Sequence, residues 1–593
     1  MYFDTMLHRS TVSIIVGFRR MSSITPKRLA SFCILFVCTV ILGHTRSFSQ
    51  SVEPKPITQP LHHAWEVQPN LGNIWDISEN PRAPTIHVEE LRSSEIQQRI
   101  DVAQKICLHH DRSGFDARIP ALQIILERLR LPEEPILVKR SMMSAACLLD
   151  DGSHAAELLD VAREDPDMQS TLERALIRWH SPMGLALWRS RLQSEQPTSH
   201  ALRFALEGMQ VVGEPSDIPS LVRILRANAS TELERILAAH AIGSVDHSGG
   251  VPLAREVLAT ELSNRYWIAA NLLQHHDSED AYNILLSVVD GDQDSARRKA
   301  ATSIAQHFPS RMPELLPAWL IHEDSKLRSL ALQSLSSNVQ PGGIASQTPL
   351  LNDPDADVRT LARKNLITAA NNGLQAEVNE AINSTIDRGQ WRGLEQAILM
   401  IASLRDTQRC DILLQLADHT QPEVHLHAAW ALMELASDPI VVEQVFERCL
   451  ALTQRLESDA GPLKKSEIIR GSFLIEVLGR NRFLAALPML QKYIPKQDFK
   501  MGNLTRASAI WSIAQIKKGE DDPGLREQFM ARMKDMPPMN PENYLVRFAC
   551  ILALGEFGFP DAMETLANYG GDPPGPLGTA SLWAREQIRK QGK

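Results

Sequence analysis

Apolar residues through the middle of the chain recur at spacings of three and four, with polar residues between them. That period is helical, and alternation at period two is scarce, so the pattern predicts helices and no sheet. Short apolar segments follow turns rich in Gly, Pro and Asp: IPSLVRIL at 218–225, VPLAREVL at 251–258, AYNILLSVV at 281–289 and MPELLPAWL at 312–320. Pro or Asp near helix starts and Gly near helix ends are the expected punctuation.

A longer period lies on top of the helical one. Ala238, in LERILAAHAIGSV, is followed at steps of 31 residues by Ala269, Ala300, Ala331 and Ala362. One helical turn further on, the same register gives Ile242, Leu273, Ile304, Leu335 and Leu366. Three residues before the alanine it gives Arg235, Tyr266, Arg297, Arg328 and Arg359. The register continues upstream through Ala205, Ala175 and Ala145, and downstream through Ala397 and Ala428. Beyond that the units lengthen, with Phe473, Ala509 and Ala549 as anchors and Ala580 opening a terminal unit. Each unit reads as two short helices. One hairpin of this size cannot bury its own apolar face, whereas stacked copies bury a continuous core. The small alanines let neighbouring helices approach closely.

These units resemble a known repeat class. NDPDADVRTLARKNL (352–366) looks like the second helix of a HEAT repeat, with Asp353, Val358, Arg359 and Ala362 in the typical places. HALRFALEGMQVVGEPSDIPSLVRIL (200–225) is similar to the shorter bacterial variant named after phycobilisome lyases. QPEVHLHAAWALMEL (421–435) and NYLVRFACILALGEFG (543–558) are partial matches. The resemblance spans roughly 100–590 and implies an all-α fold, a right-handed α-α superhelix of about thirteen or fourteen helical hairpins. It speaks to fold and is almost silent on activity. The sequence also departs from the pattern. The Asp six residues before Arg359 is present, but His322 and Gly291 stand at that place before Arg328 and Arg297, so no regular Asp–Arg ladder is expected. QPGGIASQTPLL (340–351) replaces a clean first helix and is expected to mark a bend, and 461–467 and 517–524 read as longer loops.

The ends differ from the body. Lys27 and Arg28 precede an apolar run, LASFCILFVCTVILG at 29–43, and small residues Ser47 and Ser49 follow, so residues 1–49 read as a signal peptide cleaved after Ser49. Fifteen helical residues span about 22 Å, short of the roughly 30 Å hydrocarbon core. An uncleaved anchor is the alternative, and Met21 is an alternative start. Large residues precede Cys33 and Cys38, which excludes a lipoprotein-type box. Residues 50–87 carry six prolines and read as a linker, with Trp65 and Trp75 expected to pack onto the body. Residues 88–440 hold the repeats of about 31 residues, and 441–593 the longer, more divergent repeats and a C-terminal cap.

Composition narrows the class. Of 593 residues 44% are apolar and 22% charged, which excludes wholesale disorder, and aromatics at 5% are few for an all-β protein. The net charge is −9, and −14 without residues 1–49, so nothing suggests nucleic acid. The segment and the charge together suit export to a periplasmic or extracellular location. Cys107, Cys147, Cys410, Cys449 and Cys550 are odd in number and sit in apolar helical context, as small buried residues do.

The search for chemistry returns little. The chain has no Cys-x-x-Cys-His, no phosphate loop, no Gly-x-Ser-x-Gly elbow and no His-Glu-x-x-His helix. HEAT-like deoxyhypusine hydroxylases carry several His-Glu pairs, and only His322-Glu323 occurs here. His62/His63, His109/His110, His275/His276 and His425/His427 diverge on a helix and read as solvated or capping residues. Asp353, Asp355 and Asp357 fail the calcium-loop pattern, which Val358 and Lys364 break, and read as caps, as does DGDQDS at 290–295. His109, His110 and Asp111 near Ser113 and Asp116 offer hydrolase residue types in a common loop arrangement. No catalytic residue, cofactor or metal is therefore named. Arg235, Arg297, Arg328 and Arg359 form a column that reads first as salt bridges between repeats and second as a ligand-binding stripe. Met530, Met533, Met536 and Met539 read as loop packing or as an adaptable patch.

The expected function is a non-catalytic exported scaffold that binds a protein or an extended polymer along the concave face. Membrane contact is expected only through an uncleaved anchor. The alternatives are a lyase or enzyme accessory of the HEAT-like type, and a structural envelope protein held by that anchor.

Overall fold

The computed structural model describes residues 86–110, 117–194, 198–336, 341–458, 464–496, 502–520, 522–537, 539–569 and 576–591. Residues 1–85, which hold the expected signal peptide and most of the expected linker with Trp65 and Trp75, and Asp111, Ser113 and Asp116 lie outside the described residues. Every regular element among the described residues is a helix.

A 3-10 turn, Val88–Arg92, packs on α1 (Ile96–His109), and fourteen hairpins follow. The first five are α2 and α3 (Arg118–Leu129, Ile136–Leu149), α4 and α5 (Ala155–Ala162, Pro166–Arg178), α6 and α7 (Leu185–Gln193, Ser199–Val212), α8 and α9 (Ile218–Arg226, Glu232–Val245), and α10 and α11 (Gly250–Leu258, Arg265–Leu272). The next five are α12 and α13 (Glu279–Val289, Asp294–His307), α14 and α15 (Met312–Trp319, Ser325–Ser336), α16 and α17 (Pro341–Gln347, Ala356–Asn371), α18 and α19 (Gln375–Asp387, Trp391–Ser403), and α20 and α21 (Cys410–Leu416, Pro422–Leu435). The last four are α22 and α23 (Pro439–Glu457, Lys465–Arg480), α24 and α25 (Leu487–Gln491, Asn503–Ile516), α26 and α27 (Pro523–Lys534, Tyr544–Phe557), and α28 and α29 (Met563–Ala567, Pro576–Gln591).

Each odd helix packs on the odd helices before and after it, from α1 to α29, and on the even helix of its own hairpin. The chain is thus an α-α superhelix of two layers, with the core between them. The alanine register forms the seam of the odd layer. Ala145, Ala175, Ala205, Ala238, Ala269, Ala300, Ala331, Ala362, Ala397, Ala428, Ala509, Ala549 and Ala580 are all 1% exposed or less. Phe473 is the exception. It is only half-buried, and the neighbouring Ser472 is fully enclosed instead, because a phenyl ring is too large for the close contact between odd helices. Glycine serves the same contact elsewhere. A Cβ on Gly243 of α9 would overlap the Asn271 carbonyl oxygen of α11 and lie 2.9 Å from that of Leu272.

Local signals set the helix starts. Thr231 and Glu234 form a capping box at α9: the Glu234 amide donates to Thr231 Oγ1 at 3.3 Å, and the Thr231 amide to Glu234 Oε2 at 2.8 Å. Asp355 caps α17 by accepting from the Asp357 and Val358 amides at 2.9 and 3.3 Å. The segment expected to bend forms the short α16, continued by a 3-10 turn, Thr348–Asn352. Gln347 at this junction is fully buried, and its Oε1 accepts from Asn365 Nδ2 at 2.8 Å. No helix among the described residues is long and apolar enough to cross a membrane.

Candidate functional site

The arginine column is the first candidate, and the structure gives it a third role. Each guanidinium turns back to the carbonyls of the turn inside its own hairpin. Arg235 Nη2 donates to Ala227 O at 3.0 Å and Asn228 O at 3.3 Å. Arg297 reaches Val289 O at 3.1 Å and Gly291 O at 2.7 Å. Arg328 Nη1 holds His322 O and Glu323 O at 2.6 and 2.8 Å, and Arg359 Nη1 holds Asp353 O and Pro354 O at 2.8 and 3.2 Å. These donors cover carbonyls left open between two helices.

Only one of these four also bridges to the next repeat. Arg328 Nε and Nη2 meet both carboxylate oxygens of the buried Asp353 at 2.6 and 2.7 Å. Two arginines outside the column do the same. Arg99 holds Ser93 O and Ser94 O and pairs with Glu134 at 2.8 Å, and Arg506 holds Tyr493 O and Ile494 O and pairs with Glu542 at 2.8 Å. Both pairs are buried. Arginines that both hold turn carbonyls and bridge to the next repeat are thus few among the described residues, and other bridges between repeats, such as Arg140–Asp165 and Arg189–Asp217, start from arginines that stand off this register. Arg506 carried a sequence signal, since it stands three residues before Ala509. Arg99 stands three before the buried Val102, where no alanine marks the register.

The polar groove on the odd layer is the second candidate. It has a volume of about 560 Å³, and Arg298, Lys299 and Thr302 of α13, Ser329 and Gln333 of α15, and Asp357 of α17 line it. Arg298 pairs with the buried Asp324 at 2.8 Å, and Lys299 Nζ donates to Gln274 Oε1 at 2.6 Å. Burial pulls the Lys299 ammonium below the usual lysine range. Gln274 Nε2 in turn donates to His240 O and Ser244 Oγ at 3.0 and 2.9 Å, so the groove is tied to the ends of α9 and α11.

Histidines gather at those ends. The rings of His247 and His275 lie 5.3 Å apart and those of His275 and His307 5.5 Å apart, a row across three successive hairpins. Beneath it, buried His276 accepts the Gly250 amide at Nε2 over 3.0 Å. The adjacent His275 and His276 thus diverge, one exposed and one accepting a backbone hydrogen bond. No group of three His, Cys, Asp or Glu among the described residues is arranged to hold a metal ion.

His240, His275 and His276 set a pH dependence. Burial first, then the Lys299 and His275 charges, push His240 down to about 4. Burial also lowers His275 and His276. The folded chain therefore binds fewer protons here than the unfolded chain as pH falls below about 6.5. The stability these groups allow is fully present above that value and is lost progressively toward pH 4. Protonating His276 at Nε2 would also break its bond to the Gly250 amide. A melting temperature that drops steadily between pH 7 and 5 is the expected result. His276→Leu removes the titrating ring and is expected to flatten that slope. An unchanged slope in thermal scans would refute the assignment.

The remaining candidates divide. Cys107, Cys147, Cys410, Cys449 and Cys550 are all free, and burial pushes the Cys147 and Cys449 thiols up to about 12. Met533 is fully buried, whereas Met536 and Met539 are exposed, so the methionines do not share one patch.

No protein-family model and no curated relative matches the sequence. Solved structures do match. Yeast importin-beta (Kap95p) is 13% identical over 84% of this chain and 72% of its own, with a TM-score of 0.45. Kap95p in the study of its binding to RanGDP is 12% identical over 85% and 72%, also at 0.45. Kap121p bound to Ste12p is 14% identical over 89% of this chain and 57% of that one, at 0.42. The likeness is one of helical architecture.

Proposed function

We propose that the chain is a non-catalytic binding scaffold that holds a partner protein on its odd-layer face, at the groove between α13, α15 and α17. The observation that carries this reading is the groove itself. Three consecutive repeats supply its lining, so a partner laid across it contacts several hairpins at once. Its side chains are hydrogen-bonding and charged, as at the polar parts of protein interfaces. The repeats belong, in this reading, to the short bacterial HEAT type that residues 200–225 and 352–366 resemble. The chain is exported, on the strength of the basic and apolar pattern at 27–49.

Both parts have tests. Ser329 sits half-buried in the groove, and Ser329→Trp fills it. Proteins captured from native cell-envelope extract by the wild-type chain are expected to be lost with this variant. Undiminished capture would move the interface elsewhere. For export, fractionation with N-terminal sequencing is expected to give a mature chain that starts at Gln50, and an intact N-terminus in the membrane fraction would favour the anchored reading.

A further inference from the structure

The imidazole row deserves a function of its own, because it gathers charge without counter-charge. His247, His275 and His307 reach the same spot from the C-terminal ends of α9, α11 and α13. No ion pair among the described residues holds any of the three. Most carboxylates nearby are occupied or turned to other work. Asp246 accepts the Ser248 and Gly249 amides at 3.0 and 2.7 Å. Asp324 holds Arg298, and Asp355 caps α17. Asp277 stands exposed beside His276, and Asp357 lines the far wall of the groove. Cations adjoin the row. Lys299 is close enough to act on both His240 and His275, and it lines the groove together with Arg298 and Lys326. Lys326 makes no ion pair among the described residues.

We propose that this row and the adjoining basic side of the groove form a docking surface for an acidic segment of the partner protein, one that engages as the pH falls. The inference rests on the scaffold reading above. Its physics is linkage. Imidazoles take up protons between about pH 7 and 5. Each proton added beside Lys299 is unfavourable in the free chain, since the charges on Lys299 and the neighbouring imidazoles repel one another. Carboxylates laid against the row remove that penalty, so binding takes up protons and tightens in acid. Burial is the larger cause of the acid loss in the free fold, and a bound acidic segment relieves the smaller one, the repulsion between these charges.

A labelled decaglutamate peptide tests this on the full mature chain, by fluorescence anisotropy at constant ionic strength. Binding is expected to be about tenfold tighter near pH 5.5 than near pH 7.5, the scale of two or three partly screened charge contacts. His275→Gln, at an exposed position, is expected to shrink that ratio while the helical circular dichroism at neutral pH stays unchanged. The triple change of His247, His275 and His307 to Gln is expected to bring it near one. Lys326→Glu is expected to weaken binding at both pH values. A pH ratio that survives the triple change would overturn the proposal. So would a single-stranded DNA oligomer that binds more tightly than decaglutamate, because the surface would then select phosphates. If decaglutamate fails at both pH values while Ser329→Trp still abolishes partner capture, the scaffold reading stands and the acidic partner does not. If decaglutamate shows the pH ratio while Ser329→Trp leaves capture intact, the row binds acidic chains and the partner assigned to the groove is wrong.

Discussion

Arg328→Ala is expected to lower the stability of the array by about 3–5 kcal/mol, the cost of leaving one partner of a buried ion pair unpaired. The change strands the Asp353 carboxylate, which is 5% exposed, and frees the His322 and Glu323 carbonyls at the same time. It also removes a tie between adjacent hairpins α14 and α15 and α16 and α17. Arg235→Ala is the internal control. It loses only carbonyl contacts at a half-buried site, worth about 1–3 kcal/mol. Denaturant titration of both variants checks the contrast. Repeat arrays need not unfold in one step, so the first transition is the one to compare. Equal losses would show that the Asp353 bridge adds nothing beyond the turn contacts. Replacing both Arg328 and Asp353 with apolar residues is expected to recover much of the loss, because no buried charge then remains.

Gly243→Ala is the second large effect. The added methyl would overlap the Asn271 carbonyl oxygen, which belongs to the backbone of α11 and cannot rotate away. Either α9 and α11 separate or the register between them shifts. Overpacking of this kind costs about 1–3 kcal/mol, and the backbone contact places this case at the upper end. The neighbouring Ala239→Gly removes a methyl from a buried position on the same helix and is expected to cost about 1 kcal/mol. Thermal unfolding of the two variants separates a steric cause from a helix-propensity cause. If Gly243→Ala is as stable as the wild type, the two helices are not held at the distance the structure shows.

Much of the architecture is readable in the sequence. Helices without sheet, two per unit, followed from spacings of three and four and from turn residues. The alanine steps named the seam of the odd layer from Ala145 to Ala580, and the steep burial of those residues follows from one cause. A small side chain in constant register is what close helix stacking requires, and the requirement repeats with every hairpin. Phe473 broke the rule because the units there lengthen and the step no longer fixes the register.

The site was harder to read. The arginine register was visible, but not what the guanidiniums do, since the carbonyls they bind belong to turns whose path sequence does not specify. His247, His275 and His307 lie at different offsets from their alanines, so no period links them. Their rings meet only because the hairpins end at matching heights. The sequence by itself determined the period, the helical class and the residues that must be small, because each of these is a local demand repeated along the chain. Tertiary structure alone decided which charges pair, which carbonyls are covered and which imidazoles stand together. Those depend on distances between hairpins that neither hairpin encodes separately.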